Sequence, residues 1–516
     1  MRCAGLALAV LLLLLGAPPL GAHVGSPNVF FQGRAGPYGV RVVIRPPPTL
    51  PGLAQVDVRV TGEDGAAVTL QAAPWAAGEE AAPAPLRAAP VAGEAGLFHA
   101  PLWLLGRGSY RMNIAVEGAR GRGVVSIPLN SAATQRPVMP PALGAGLALL
   151  GVALFASAVG IVRAAAREAS LAPEVLPAAG DHARARRVSA IVVLLLAGAL
   201  FGGGWRWRAM DREFRNNALA RPRPVEATIR SAGTLRLLRL TPGAVASPLE
   251  GWDTLVTDHG KLMHLFLCRE PDFTAFAHLH PVRRDAQTFE NVLPPLPAGT
   301  YQLYAEITSE TGLSETLTAR LALPAPTGPA LPPEADWKLV NEVWCQSPTV
   351  PVENAGQPFA LDADDSWHVA PAPAFEETRA QVSALMDGSR MVFENAGDLV
   401  ENRETALRFS VFTAAGRRTA LQPYMGMAGH AVVRRADGAV FTHLHPAGTI
   451  SMAAQALLQR RDGDPQPMVT AGGPADAAVT FPYAFPRAGE YRVWMQVRSG
   501  GRVLTGEFAV RVKAAR

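Results

Sequence analysis

The chain has 516 residues and a formal net charge of +5, with 48 Lys and Arg against 43 Asp and Glu. A length of that order holds roughly two to four domains, each with its own core. The charge is small for the length and no dense basic run is interleaved with aromatics, so a nucleic-acid-binding surface gets no support.

The first segment, "MRCAGLALAVLLLLLGAPPLGA", has one Arg, a long apolar run, a Pro break and a small-residue end. It reads as a secretory signal over residues 1–22, with cleavage after Ala22 and an uncleaved anchor as the runner-up. Residues 23–135 follow as a first domain outside the cytoplasm. Residues 142–162, "ALGAGLALLGVALFASAVGIV", carry no charge and are long enough to cross a bilayer as one helix. Residues 188–205 form a second, shorter span ending at Trp205, with Trp207 just beyond, which suits a membrane interface. The loop 163–187 between them holds Arg163, Arg167, Arg184, Arg186 and Arg187 and is expected on the cytoplasmic side. Arg206, Arg208, Arg212 and Arg215 argue the other way, but the signal segment fixes the first domain outside and a hairpin returns there. The expected location is the bacterial inner membrane, with the large domains on the periplasmic side.

Three segments share a Gly-x-Tyr step into an alternating strand: "GRGSYRMNIAV", "PAGTYQLYAEI" and "RAGEYRVWMQV". Their key pairs are Gly108 and Tyr110, Gly299 and Tyr301, and Gly489 and Tyr491, each followed by one more strand. Such a step resembles the tyrosine corner of immunoglobulin-like sandwiches. The expected fold is therefore mainly β: three immunoglobulin-like or cupredoxin-like sandwiches at 23–135, 222–325 and 385–516, plus a two-helix transmembrane hairpin. The Pro-rich "PAPTGPALPPEA" (324–335) leads into residues 326–384, which otherwise stay unassigned, with "ETRAQVSALM" a mild helix candidate.

Domains two and three alone carry a histidine motif. "FAHLHP" at 276–281 returns as "FTHLHP" at 441–446, and His264 and His430 precede them by similar intervals. Side chains alternate along a strand, so His278 and His280 share a face, as do His443 and His445. In domain three Asp437-Gly438 marks the hairpin tip, and centring the register there sets Val432 opposite His443 and His430 opposite His445. The same plan sets His264 opposite His280. The candidate metal ligands are thus His264, His278 and His280 in one site and His430, His443 and His445 in another. Neutral imidazoles suit copper, with zinc the alternative. Cys268, Met425, Met427 and Met452 are nearby soft sulfurs that favour copper, though none is shared between the repeats. The competing reading is a buried histidine network that locks each hairpin. Domain one builds the same sandwich without the motif, so the fold alone does not demand these residues.

Other residues rank lower. His23 would become the mature N-terminus after cleavage, with His99 in the same domain. His259 and His368 are expected at the surface or in turns, and Cys268 and Cys345 could pair in an oxidising compartment.

"GKLMHLFL", "FAHLHP" and "PAGTYQLYAEI" resemble the YtkA-like and cupredoxin-like secreted β-sandwich modules of bacteria, and "LQPYMGMAGHAVV" with "FTHLHP" resembles a second copy. The resemblance implies a β-sandwich outside the cytoplasm in a setting of copper or redox-protein handling. It does not imply a blue-copper carrier, because the Cys-His-Met loop near the last strand is absent. The function expected is metal binding without catalysis: copper storage, delivery or resistance, with a periplasmic metal-acceptor protein as partner. The alternative is a cell-envelope scaffold whose histidines are structural. A metalloenzyme ranks last, since only Asp258 lies beside a cluster as a candidate base and domain three has no counterpart.

Overall fold

A computed structural model describes residues 28–515 except 64, 78–81, 137–138, 173, 218, 221, 233–234, 244–251, 327–361, 376–377 and 464–477. The signal segment, His23, Cys345 and most of the Pro-rich linker lie outside the described residues. The chain divides into two compact units, residues 132–219 and everything else.

The smaller unit is a pair of helices, Pro141–Glu168 and Ala179–Asn217. Both are long and apolar enough to cross a membrane. They run antiparallel: Arg184 Nε donates to the Ala166 carbonyl (2.9 Å), and Arg136 pairs with Asp211 (3.1 Å) near the other end. Helix extends well into the expected loop 163–187, so the connection shrinks to residues 169–178.

The larger unit contains several antiparallel sheets arranged as sandwiches. In domain one a five-stranded sheet faces a four-stranded one. The strand Gly52–Thr61 shows why: Ala54, Val56, Val58 and Val60 alternate inward while Gln55, Asp57 and Arg59 point out. In domain two, Arg223–Ala232 and Leu235–Pro242 belong to a sheet that turns a corner onto the strands Ser314–Leu323, Gly299–Thr308, His264–Glu270 and Ala275–Leu279. Domain three sets Gln381–Ala384, Arg390–Phe393, Thr405–Phe412 and Ala478–Tyr483 against Phe441–Leu444, His430–Arg435, Gly489–Ser499 and Arg502–Val512.

All three tyrosines close corners. The hydroxyls of Tyr301 and Tyr491 each donate to a carbonyl four residues upstream, Pro297 and Arg487, both at 2.7 Å, while Tyr110 accepts from the Gly106 amide (3.1 Å). The preceding glycines hold φ of +137° (Gly108), +150° (Gly299) and +133° (Gly489), a region hostile to side chains.

One expectation needs correction. "ETRAQVSALM" is not helical: Gln381–Ala384 is a strand that pairs with Arg390–Phe393 across a turn containing Asp387-Gly388, because Val382 and Ser383 alternate outward and inward. Conversely, Met452–Arg461 is a helix, started by Ser451 Oγ accepting from the Ala454 amide (3.2 Å).

Domains two and three meet through their motif-bearing sheets. Phe266, Cys268, Phe273, Phe276 and Tyr304 of one form a shared core with Val432, Phe441 and Trp494 of the other. The contact repeats about a pseudo-two-fold axis. Phe276 stacks on Trp494 (4.6 Å between centroids, 7° between planes), and Phe441 stacks on Tyr304 (3.8 Å, 9°). Residues 362–375 run along this junction, where Ser366–Val369 adds an edge strand to domain two beside Ala275–Leu279.

Candidate metal centre

The hairpin registers follow from the turns. Val432 pairs with His443 and Ala431 with Leu444, which sets His430 beside His445. Leu265 pairs with Leu279, which sets His264 beside His280. Each strand also pairs on its other side with the strand after the corner glycine, where His264 meets Glu306 and His430 meets Gln496.

Because the two sheets pack face to face, the two histidine sets form one continuous cluster. Within the first, ring centroids lie 5.3 Å (His264–His278), 5.1 Å (His264–His280) and 4.6 Å (His278–His280) apart. Within the second they lie 5.3 Å (His430–His443), 5.1 Å (His430–His445) and 4.5 Å (His443–His445) apart. His443 stands 5.5 Å from both His264 and His278. All six imidazoles are buried.

The surroundings dictate where the protons sit in the first set. The Asp258 carbonyl can only accept, so His264 carries its hydrogen on Nε2 and donates there (3.1 Å). Asp365 accepts from the His280 amide (2.7 Å), from His280 Nδ1 (3.0 Å) and, on its other oxygen, from the Asp362 amide (3.1 Å). Gln496 turns its nitrogen to Ser366 Oγ and its oxygen to His278 Nδ1 (2.9 Å). These three acceptors leave bare lone pairs on His264 Nδ1, His278 Nε2 and His280 Nε2. Those nitrogens converge: the three residues' ligand atoms lie within 4.8 Å of one another. His264 Nδ1 and His278 Nε2 are only 3.0 Å apart with no proton assigned between them. Two nitrogens bound tetrahedrally to one metal at about 2.0–2.1 Å would stand about 3.3 Å apart, so the pair is close to ligand spacing. His280 Nε2 is buried without a hydrogen-bond partner. The residues present fit a transition-metal ion. His264, His278 and His280 would hold it, with Asp258, Gln496 and Asp365 orienting the rings from behind.

Electrostatics agree. Burial, reinforced by neighbouring imidazoles, holds His264, His278, His430 and His445 well below the ordinary histidine range, so all four are neutral at pH 7. Neutral imidazole is the ligand form.

The second set is built differently. His443 Nδ1 donates to Glu306 Oε2 of domain two (3.1 Å), and both ring nitrogens of His430 are buried without partners. The tight donor group here is His259, His430 and His445. His259 was expected at the surface or in a turn. It does sit in a turn, at φ +53°, but its ring is buried 5.2 Å from His430 and 5.1 Å from His445. His368 is likewise not exposed: it lies on the edge strand Ser366–Val369, 3.5 Å from Glu507. His99 pairs with Asp57 in domain one (2.7 Å).

Among the described residues, Cys268 belongs to none of the donor groups. Phe266 separates Cys268 from His264 on the same strand face, and burial pushes the Cys268 thiol up to about 12. Met427 and Met452 pack into the core shared with domain one, and Met425 is buried.

Sequence reasoning passed over Glu306, Gln496 and Asp365. The first two had a signal: each stands seven residues after its corner glycine, Gly299 or Gly489, where domain one has Ala115. Asp365 had none, since it reaches His280 from beyond the linker.

The family described as "Domain of unknown function (DUF8832)" matches residues 383–514, which is domain three. No curated protein matches the chain. Among solved structures, the chain is similar to the chicken interferon gamma receptor alpha chain, at 7% identity and TM-score 0.16, over 52% of this chain and 93% of that one. It is similar to Salmonella alpha-2-macroglobulin at 10% identity and TM-score 0.17, over 97% of this chain and 24% of the other. For dimeric latent PorU from Porphyromonas gingivalis the values are 8% and 0.12, over 95% and 34%. The chain thus spans about a quarter to a third of the length of the latter two.

Proposed function

We propose that the protein is a membrane-anchored, extracytoplasmic metal-binding protein, holding copper, with zinc the alternative, for storage, delivery or resistance rather than for catalysis. One observation carries the reading. Three buried lone pairs, on His264 Nδ1, His278 Nε2 and His280 Nε2, converge with two of them 3.0 Å apart and no proton assigned between them. A metal ion engages both lone pairs while keeping the bonds to Asp258 and Gln496, whereas a hydrogen bond between two neutral rings would cost one of those bonds. The sequence resemblance to YtkA-like and cupredoxin-like modules points the same way. The two apolar helices would anchor the chain in the inner membrane with the sandwiches on the periplasmic side, where a metal-acceptor protein would draw from the site.

A structural scaffold is the second reading. It is favoured by the cross-domain bonds of His278 to Gln496 and His443 to Glu306, which tie the sandwiches together without any ion. The test is metal content of the full chain in detergent, loaded with Cu+ under reductant or with Zn2+ and then desalted. Retention by the parent and reduced retention in His278→Gln/His280→Gln, with the apo variant still folded, supports the metal reading. No retention by the parent leaves the scaffold.

A further inference from the structure

His259 offers a donor that the repeat does not supply. It belongs to domain two, yet its ring lies closer to His430 and His445 of domain three than to His264 of its own sandwich (5.2 and 5.1 Å against 6.3 Å). The turn that carries it is tightly built. Asp258 and Lys261 exchange backbone hydrogen bonds (2.8 and 2.9 Å), His259 and Gly260 both take positive φ (+53° and +83°), and Asp258 Oδ2 accepts from the Met452 amide of domain three (3.2 Å). That last bond pins the turn to the opposite sandwich. Nε2 of His259, 3.5 Å from Asp258 Oδ1, and both ring nitrogens of His430 are buried and make no hydrogen bond. The donor atoms of His259, His430 and His445 lie within 4.8 Å of one another. His443, the third residue of the sequence repeat, turns its Nδ1 instead to Glu306.

We propose that His259, His430 and His445 form a second transition-metal site that spans the two sandwiches, so that the ion held there clamps domain two to domain three. The assignment rests on the metal-binding reading above and sharpens it: the first site takes its three ligands from one domain, the second takes them from both. Release from the second site is therefore tied to separation of the sandwiches, whereas the first set keeps its three ligands on one hairpin. The same turn exists in domain three, where Tyr424 and Met427 exchange backbone bonds and Met425-Gly426 takes φ of +48° and +78°. Its residue at the position of His259 is Met425, so the two turns differ in donor chemistry while sharing a backbone.

The experiment uses the full chain in detergent with Zn2+ as probe, comparing the parent, His259→Asn, His445→Gln and His278→Gln/His280→Gln. Asn keeps the left-handed turn that His259 occupies while removing the imidazole. Bound zinc is counted after desalting, and the separation of domains two and three is read from a spin-label pair, one label on each sandwich, with and without zinc. The expected result is about two equivalents in the parent and about one in each variant. Narrowing of the interdomain distance distribution by zinc should occur in the parent and in His278→Gln/His280→Gln, and vanish in His259→Asn. Retention of both equivalents by His259→Asn overturns the second site and leaves the first intact. Loss of one equivalent with zinc-dependent narrowing preserved overturns the clamp. No zinc on the parent overturns the metal reading beneath both.

Discussion

Glu306 and Gln496 occupy equivalent places in the two sandwiches, and each accepts a hydrogen bond from the hairpin histidine of the other: His443 donates to Glu306 (3.1 Å) and His278 to Gln496 (2.9 Å). Each acceptor also pairs through its backbone with the first histidine of its own domain, His264 or His430. The centre is thus organised by exchange across the pseudo-two-fold, and neither sandwich alone orients its own imidazoles. Removing one acceptor should strand a buried N–H. Glu306→Ala is expected to destabilise the apo protein by about 1–3 kcal/mol, and Glu306→Gln, which keeps an acceptor, by well under half of that. Urea unfolding of the two variants checks this, and equal losses would remove the exchange from the account.

The aromatic half of the junction makes a stronger demand. Trp494 is fully buried and lies flat against Phe276 of the other domain. Trp494→Ala should cost about 3–5 kcal/mol through the cavity it leaves. The damage should also reach the histidines, since Trp494 pairs with Val432, which in turn pairs with His443. Thermal unfolding measures the first effect. Metal retention measures the second, and a destabilised variant that still holds its full complement of metal would uncouple the two.

The sequence carried the hairpins and hid the junction. Gly-x-Tyr steps, Asp437-Gly438 and the spacing of the histidines are local signals, and local signals fix a corner, a turn and a register. The expectation that each hairpin holds its own separate site took each hairpin by itself. Yet "HLFLC", "AFAHL" and "FTHL" are buried at every position. A near-continuous apolar run means both faces are covered, and that pattern was available to be read. What covers the second face was not: His259 comes from an irregular turn, and Asp365 arrives from beyond a long linker. Interactions so distant in sequence leave no periodicity to detect.

The buried imidazoles should make the apo protein sensitive to acid. Burial, then mutual repulsion, lowers the folded-state values of His264, His278, His430 and His445 below the unfolded value near 6.5. For a base with a lowered folded value, the stabilisation is complete above the unfolded value and is lost as pH falls below it. Each such histidine steepens the dependence by up to about 1.4 kcal/mol per pH unit, because the unfolded chain takes up a proton that the folded one refuses. Apo protein should therefore lose stability steadily from about pH 6.5 downward. His278→Gln and His430→Gln should each flatten that slope. Melting temperatures between pH 8 and pH 5 provide the check, and a flat profile in the parent would mean that the rings are charged or open to water.

Glu507 should act in the opposite direction. It lies buried on Arg502–Val512, where burial raises its carboxyl to about 7 although Arg492, 3.5 Å away, draws it down. His368 is 3.5 Å from its other oxygen, and burial lowers that imidazole, which weakens any compensating charge. An acid raised in the folded state stabilises fully below its unfolded value, here about 4.5, and that contribution is lost as pH rises through about 7. Glu507→Gln keeps the shape and removes the titration. Relative to the parent, the variant should gain stability between pH 6 and pH 8, and the gap should close toward pH 4.5. If the two melting curves stay parallel across that range, Glu507 is charged in the folded protein and Arg492 outweighs its burial.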